Sequence, residues 1–211
     1  AVGIDYRAFN NEVESQGQQL VPDITIHPLS LNYNGLMRMS AAELSFFASG
    51  AANIPGGNDG NQADFTASRP GATDNYTLFR YGFNYTRQFR NEWQTRLGFN
   101  GQYTADSLVS GEQYGIGGPD SVRGYMLREL AGDRGYSGQA EFYTPELSSM
   151  VGLTDNYKIR LLAFYDWGSI QYNNQPPGTV QRDSISSAGL GIRMTYSKTA
   201  SFRLDLAQIL Q

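Results

Sequence analysis

Apolar and polar residues alternate along most of this chain with a period of two, the spacing that sends successive side chains to opposite faces of a β-strand. The stretch YTLFRYGFNYTRQF (76–89) is the clearest case. Phe79, Tyr81, Phe83 and Tyr85 fall on one face, and Leu78, Arg80, Gly82, Asn84 and Thr86 on the other. WQTRLGFNGQYT (93–104) repeats the pattern, with Trp93, Thr95, Leu97, Phe99, Gly101 and Tyr103 opposing Gln94, Arg96, Gly98, Asn100 and Gln102. In NYKIRLLAFYDWG (156–168), Ile159, Leu161, Ala163, Tyr165 and Trp167 oppose Lys158, Arg160, Leu162, Phe164 and Asp166. Nine such segments are predicted, at 1–9, 22–33, 36–49, 76–89, 93–104, 135–143, 156–168, 184–196 and 201–210. Asn34-Gly35 carries the strongest dipeptide signal for a tight hairpin turn, and a turn is predicted there.

The connections alternate too: long, short, long, short, long, medium, long, short. A soluble β-sandwich has no reason to collect its long loops at one end. A transmembrane β-barrel of the outer-membrane type does, with short periplasmic turns, long extracellular loops, a lipid-facing apolar surface and a wet lumen. The arginines that alternate with Phe and Tyr fit that lumen, because each would cost about 2–4 kcal/mol facing lipid near the midplane. The predicted fold is therefore all-β, an antiparallel transmembrane barrel wall. Nine is an odd number, and an open barrel leaves edges that lipid cannot satisfy. Residues 1–211 are accordingly expected to be the C-terminal portion of a larger barrel, lacking strands at the start and one at the end.

Composition agrees and narrows the chemistry. The 211 residues include 24 Gly, 14 Tyr, 11 Phe and 2 Trp, with 17% charged. A mean hydropathy of −0.44 does not argue against a barrel, which needs only one apolar face per strand. The net charge of −4, with no basic block, speaks against nucleic acid as a partner. There is no cysteine, hence no disulfide scaffold and no thiolate chemistry. His27 is the only histidine, so no histidine triad or His-rich metal site is available; it reads as a strand residue. GGNDGNQAD (56–64) resembles a single calcium-binding repeat but reads as an outer loop. The NYT sequences at Asn75 and Asn84 carry little meaning as glycosylation acceptors, the second lying within a strand. No serine has a base partner. No enzyme activity, metal or cofactor is expected.

One loop stands apart. The loop at 106–134 carries most of GGPDSVRGYMLRELAGDRGY (117–136), rich in glycine, arginine and acids. Gly117, Gly118 and the run Val122-Arg123-Gly124-Tyr125, followed by Leu130, Gly132, Asp133, Arg134, Gly135 and Tyr136, resemble the sixth extracellular loop of two-partner secretion transporters. That TpsB family belongs with BamA to one superfamily of outer-membrane assembly factors. Two strands later, Phe164, Asp166 and Gly168 resemble the family's Phe-x-Asp-x-Gly motif. The resemblance covers essentially the whole chain. It implies strands seven to fifteen of a sixteen-stranded barrel, without the periplasmic POTRA domains, N-terminal strands and final strand that a working transporter needs as partners.

The resemblance further implies that the loop folds inward and that Arg123 pairs with Asp166 on the inner wall. The strand pattern independently sets Asp166 on the polar face. At about 4 Å and an effective dielectric near 20, such a pair is worth about 4 kcal/mol in gross Coulomb terms. Gly124 would permit a close backbone approach, and Tyr125 would anchor the tip against the wall. Glu141, in the sixth segment, is a secondary candidate that either sits in the lumen and engages Arg134 or Arg128 or is a solvated charge on the wall. The implied function is secretion of a large unfolded exoprotein (an adhesin, cytolysin or haem-acquisition protein) across the Gram-negative outer membrane, among its lipids. Two alternatives are a BamA-like insertase, which shares both motifs, and a passive porin.

Overall fold

The computed structural model describes residues 1–9, 14–15, 18–19, 22–150, 152–153, 156–174, 178–197 and 199–210. Most of the polar loop expected at 10–21, and part of the loop between the seventh and eighth segments, lie outside these.

All nine predicted segments contribute to one antiparallel sheet. Its strands are β1 (Val2–Ile4), β2 (Pro28–Met39), β3 (Ala42–Asn53), β4 (Thr77–Gln88), β5 (Gln94–Tyr103), β6 (Arg134–Tyr143), β7 (Tyr157–Gln171), β8 (Arg182–Tyr196) and β9 (Ala200–Leu210), each paired with its sequence neighbour. The register carries one face unbroken across the sheet. Leu31, Phe79, Tyr103, Tyr136, Tyr165, Leu190 and Leu206 all lie on it and are exposed. Rings stack along this surface, as between Phe83 and Phe99, Phe99 and Tyr136, and Tyr165 and Trp167. At the short-turn end Trp93 stacks on Phe142 with centroids 4.9 Å apart, and Tyr157 leans on Tyr196. Aromatics gathered at the border of an apolar band are the expected anchors of a barrel at a membrane interface. No helix among the described residues is long and apolar enough to cross a membrane.

The hairpin between β2 and β3 turns at Ser40-Ala41, not at Asn34-Gly35, which pair within the sheet with Phe47 and Phe46. Strand length explains the difference. Twelve residues at about 3.3 Å each, tilted about 40°, cover the ~30 Å of a hydrocarbon core. A strand ending at Asn34 would reach only about half that depth. Gly35 stays in the strand because the Phe46 ring lies over it, in the space a Cβ would fill. An aromatic ring laid over a strand glycine restores the packing that the missing side chain forfeits. The same device recurs at Gly138 under Trp167 and Gly101 under Tyr81.

The first two predicted segments are each split. Beyond Ile4 the chain leaves the sheet, and Arg7–Phe9 pairs instead with Ile24–Ile26. The second segment divides at His27, whose backbone N–H donates to Asn53 Oδ1 at 2.7 Å. Pro28 follows as the first residue of β2, the strand position that tolerates a missing N–H. Ile24 and Ile26 are then free to enter a small core at the long-loop end with Phe65, Tyr76, Leu108 and Val109. Phe65 belongs to a helix, α1 (Gln62–Ser68), inside the loop that sequence alone presents as structureless. Asn61 caps it, accepting from the Ala63 and Asp64 amides while Asp64 bonds back to the Asn61 amide. This reciprocal bonding is a capping box built on Asn61 and Asp64, within a stretch that the sequence presents as an outer loop.

At the opposite end, the connection between β6 and β7 is fixed by Glu146. One carboxylate oxygen accepts from the Ser148 amide at 2.7 Å and the Ile159 amide at 2.9 Å. These backbone donors favour the ionised form and hold the Glu146 carboxyl down at about 2. Because the folded value is depressed, the stabilisation is complete above the ordinary value near 4.5 and is lost as pH falls through about 2. Protection of the Ser148 and Ile159 amides from hydrogen exchange, taken relative to the intrinsic rate at each pH, is therefore expected to be full above about pH 4.5 and to fall progressively to its floor near pH 2. In Glu146→Ala that protection is expected to be low at every pH.

Candidate functional site: the inward loop

The loop between β5 and β6 folds back over the inner face of the sheet. It is braced by a short hairpin in which Tyr114–Ile116 pairs with Leu130–Gly132. Gly117 and Gly118 turn the chain at φ +109° and +93°, a region where a Cβ is strained. Ser121 closes the turn: its hydroxyl accepts from the Gly117 amide at 2.8 Å and donates to the Gly117 carbonyl at 3.0 Å. Val122 and Ile116 are fully buried and press the loop onto the wall.

Arg123 sits at the inward tip with 3% of its surface exposed. Its Nε and Nη2 donate to the two oxygens of Asp166 at 2.6 and 2.7 Å, a bidentate fork. Its backbone N–H donates to Asp166 Oδ2 at 3.1 Å. Nη1 donates to Glu141 Oε1 at 2.7 Å, and Asp205 Oδ1 stands 3.8 Å from it. Beneath the guanidinium lies the Phe164 ring, 3.6 Å from Cζ to centroid, a cation–π contact in a desolvated setting. Three acids on three strands thus surround one arginine.

The Phe-x-Asp-x-Gly residues have separate jobs that follow from their spacing. Positions 164, 166 and 168 of β7 face inward together. Phe164 carries the guanidinium and Asp166, fully buried, receives it. Gly168 leaves room for the loop: a Cβ there would meet Ile116 Cδ1 at 3.0 Å. Gly124, at φ +92°, passes so near β9 that a Cβ would lie 3.2 Å from that of Ala207. Tyr125 reaches the Ser186 carbonyl through its hydroxyl at 3.4 Å, a long contact that makes it a weaker anchor than Arg123.

The secondary candidates are sorted differently from expectation. Glu141 engages Arg123 rather than Arg134 or Arg128, and its second oxygen accepts from the Tyr143 hydroxyl at 2.6 Å. Arg134 is excluded by parity, since it shares the outward face of Tyr136 and lies over the Tyr103 ring. Arg128 donates to the Ser110 and Gln113 carbonyls within the loop. Asp133, fully buried, is bound by both terminal guanidinium nitrogens of Arg69, Nη1 and Nη2, and accepts the Leu108 amide at 2.9 Å and the Asn173 amide at 2.7 Å. Sequence reasoning missed Arg69 and a third buried acid, Glu112, held by Arg7 at 2.8 Å and Arg80 at 3.0 Å. These partners lie 64, 105 and 32 residues apart, and no motif joins them.

A sheet with a continuous apolar outer face, a polar inner face and a loop pinned inside defines an outer-membrane β-barrel wall. The family model described as haemolysin secretion/activation protein ShlB/FhaC/HecB matches residues 6–194, and the chain belongs to that family of Gram-negative outer-membrane transporters. Among solved structures, CdiB from Escherichia coli is similar with a TM-score of 0.71 at 17% identity, over 95% of this chain and 35% of that one. The chain thus spans about a third of the length of that structure. No curated protein sequence matches it.

Two substitutions test the site. Asp166→Ala leaves the Arg123 charge buried without its main partner, a loss of about 3–5 kcal/mol. The loop is expected to undock, and trypsin to cleave after Arg123, which its burial protects in the parent. Gly168→Ala forces a Cβ against Ile116, an overpacking cost of about 1–3 kcal/mol. It is expected to raise exchange of the Ile116 and Val122 amides without altering strand content by circular dichroism.

Proposed function

We propose that this chain forms one side of a sixteen-stranded channel through which an unfolded exoprotein of the adhesin, cytolysin or haem-acquisition type is secreted by two-partner secretion. The observation that carries the reading is the buried grip of Arg123 by Asp166 and Glu141 inside the wall. A passive porin has no need of a loop tip fixed through three oxygen atoms, whereas a translocation path needs a part that either stays docked or is released as the client passes. Family membership favours secretion over insertion of other barrels, the alternative that the shared motifs leave open.

The client enters from the periplasm, captured by POTRA domains that accompany this wall, and threads the lumen without chemical change. The remaining barrel strands and the lipids of the outer membrane are its other partners. No nucleophile, metal or cofactor takes part. The docked loop narrows the lumen, and its arginine lock sets the free energy of releasing it. The lock faces β6, β7 and β9 at once, so the loop holds three strands in a fixed relation while it is docked.

Arg123→Glu places an acid among Asp166, Glu141 and Asp205. Secretion of the partner exoprotein by the complete transporter is expected to fall at least tenfold, with the amount of heat-modifiable barrel in the outer membrane unchanged. Undiminished secretion by that variant overturns the reading.

A further inference from the structure

The register of the last three strands sets three arginines in a row on the inner face. Arg160 of β7 is directly opposite Arg193 of β8, which is opposite Arg203 of β9. Like charges placed opposite one another weaken a sheet, so the row costs stability that strand packing does not require. Asp205 relieves part of it, accepting from Arg193 and from Arg203 at 2.7 Å each. Arg160 has no carboxylate partner among the described residues; its Nη1 donates to the neutral Gln94 side chain at 2.9 Å. Arg96 of β5 is directly opposite Glu141 of β6, whose two oxygens are taken by Arg123 and the Tyr143 hydroxyl; its own contacts are neutral, 3.4 Å from the Tyr143 hydroxyl and 4.9 Å above the Tyr143 ring. Lys158, exposed on the same face, makes no ion pair among the described residues.

These side chains line an open cavity of about 550 Å³ between the Arg123 lock and the short-turn end of the wall. Neutral acceptors orient a guanidinium while leaving its charge uncompensated, so the cavity is built to keep positive charge available. The acids nearby, Glu141, Asp166 and Asp205, are already engaged with Arg123, Arg193 or Arg203. The chain as a whole is net negative at −4, so this surplus is local to the cavity.

We propose that this cavity is a receiving site for carboxylate-bearing segments of an extended polypeptide, with Arg96, Lys158 and Arg160 as its free cations. It rests on the transport reading in taking the exported client as that polypeptide. A planar guanidinium fork matches a carboxylate in two parallel hydrogen bonds. Neighbouring strands lie about 4.8 Å apart, so the arginine row offers such forks along a line crossing the strands. An extended chain presents same-side groups every second residue and has no internal hydrogen bonds to break first. In a water-filled lumen each pair is weak and screened by salt. The surplus charge therefore draws an acidic segment inward and lets it move on.

The test measures binding of a fluorescently labelled decaglutamate peptide to the detergent-solubilised complete transporter, beside the triple variant Arg96→Gln, Lys158→Gln, Arg160→Gln. The peptide is expected to bind the parent, to weaken as salt rises from 50 to 300 mM, and to bind the triple variant at least tenfold less tightly; decalysine is expected not to bind. Equal binding by parent and variant, no binding by the parent, or equal binding of decalysine overturns the proposal. Arg123, Arg193 and Arg203 are unchanged in the variant, and parental trypsin resistance at Arg123 checks that its lock is intact. A second variant, Lys158→Glu, alters one exposed side chain and is expected to weaken the peptide at least threefold. Client secretion is scored separately: secretion with no difference in peptide binding removes the receiving site and leaves transport. Peptide binding without secretion removes transport and leaves the site.

Discussion

Taking the Arg123 guanidinium out of water is the cost around which the inner face is arranged. An unpaired buried cation costs several kcal/mol, and a buried pair offsets that only with excellent geometry and further hydrogen bonds around the charge. At Arg123 each of the three guanidinium nitrogens has a carboxylate acceptor. Asp166 takes the fork and the backbone amide, Glu141 takes the remaining nitrogen, and Phe164 covers the plane. Such an arrangement adds little net stability over an apolar plug of equal volume, but it is unforgiving of any other position. A hydrophobic tip can slide along a wall; a guanidinium bound in two directions cannot.

The same logic is repeated toward the long-loop end. Glu112, Asp133 and Asp166 are all buried acids, and each is held by arginine from a distant part of the chain. Asp133 ties the end of the inward loop to Arg69, just after α1, and to the loop that follows β7. Glu112 ties the start of the loop to Arg80 on β4 and to Arg7 beyond β1. The loop is therefore fastened at both ends and at its tip. Releasing the tip alone leaves two anchors in place, which allows a local rearrangement without losing the loop to the exterior.

The wall was legible in the sequence because its signal is periodic and redundant. Over nine strands, two faces and alternating loop lengths, a single misplaced residue does not alter the pattern. Asn34-Gly35 shows the limit, since dipeptide chemistry argued for a turn where the thickness of the membrane demanded more strand. The tip contact was legible because Val122-Arg123-Gly124-Tyr125 and Phe164-x-Asp166-x-Gly168 are both local in sequence. Parity alone placed Asp166 inside. Helix α1 was not legible, because seven residues carry no periodic stripe and its Asn and Asp look like ordinary loop residues. The Arg69–Asp133 and Arg7–Glu112–Arg80 contacts were not legible. They join single residues across long intervals of chain, and a lone arginine in a polar loop looks the same whether solvated or buried.

Charge on the inner face divides into two kinds, and the division carries functional meaning. Arginines above and at the tip are matched by acids with short, directed hydrogen bonds, and these fix structure. Toward the short-turn end, Arg96 and Arg160 are directed by Tyr143 and Gln94, which orient without neutralising. Were these residues only structural, the sheet would have gained by replacing Arg160 with any uncharged side chain, removing a repulsion against Arg193. Keeping the repulsion makes physical sense if a counter-charge arrives from outside the chain. On that proposal the inner face is graded: open positive charge toward the short-turn end, and a neutralised, locked loop further along the wall.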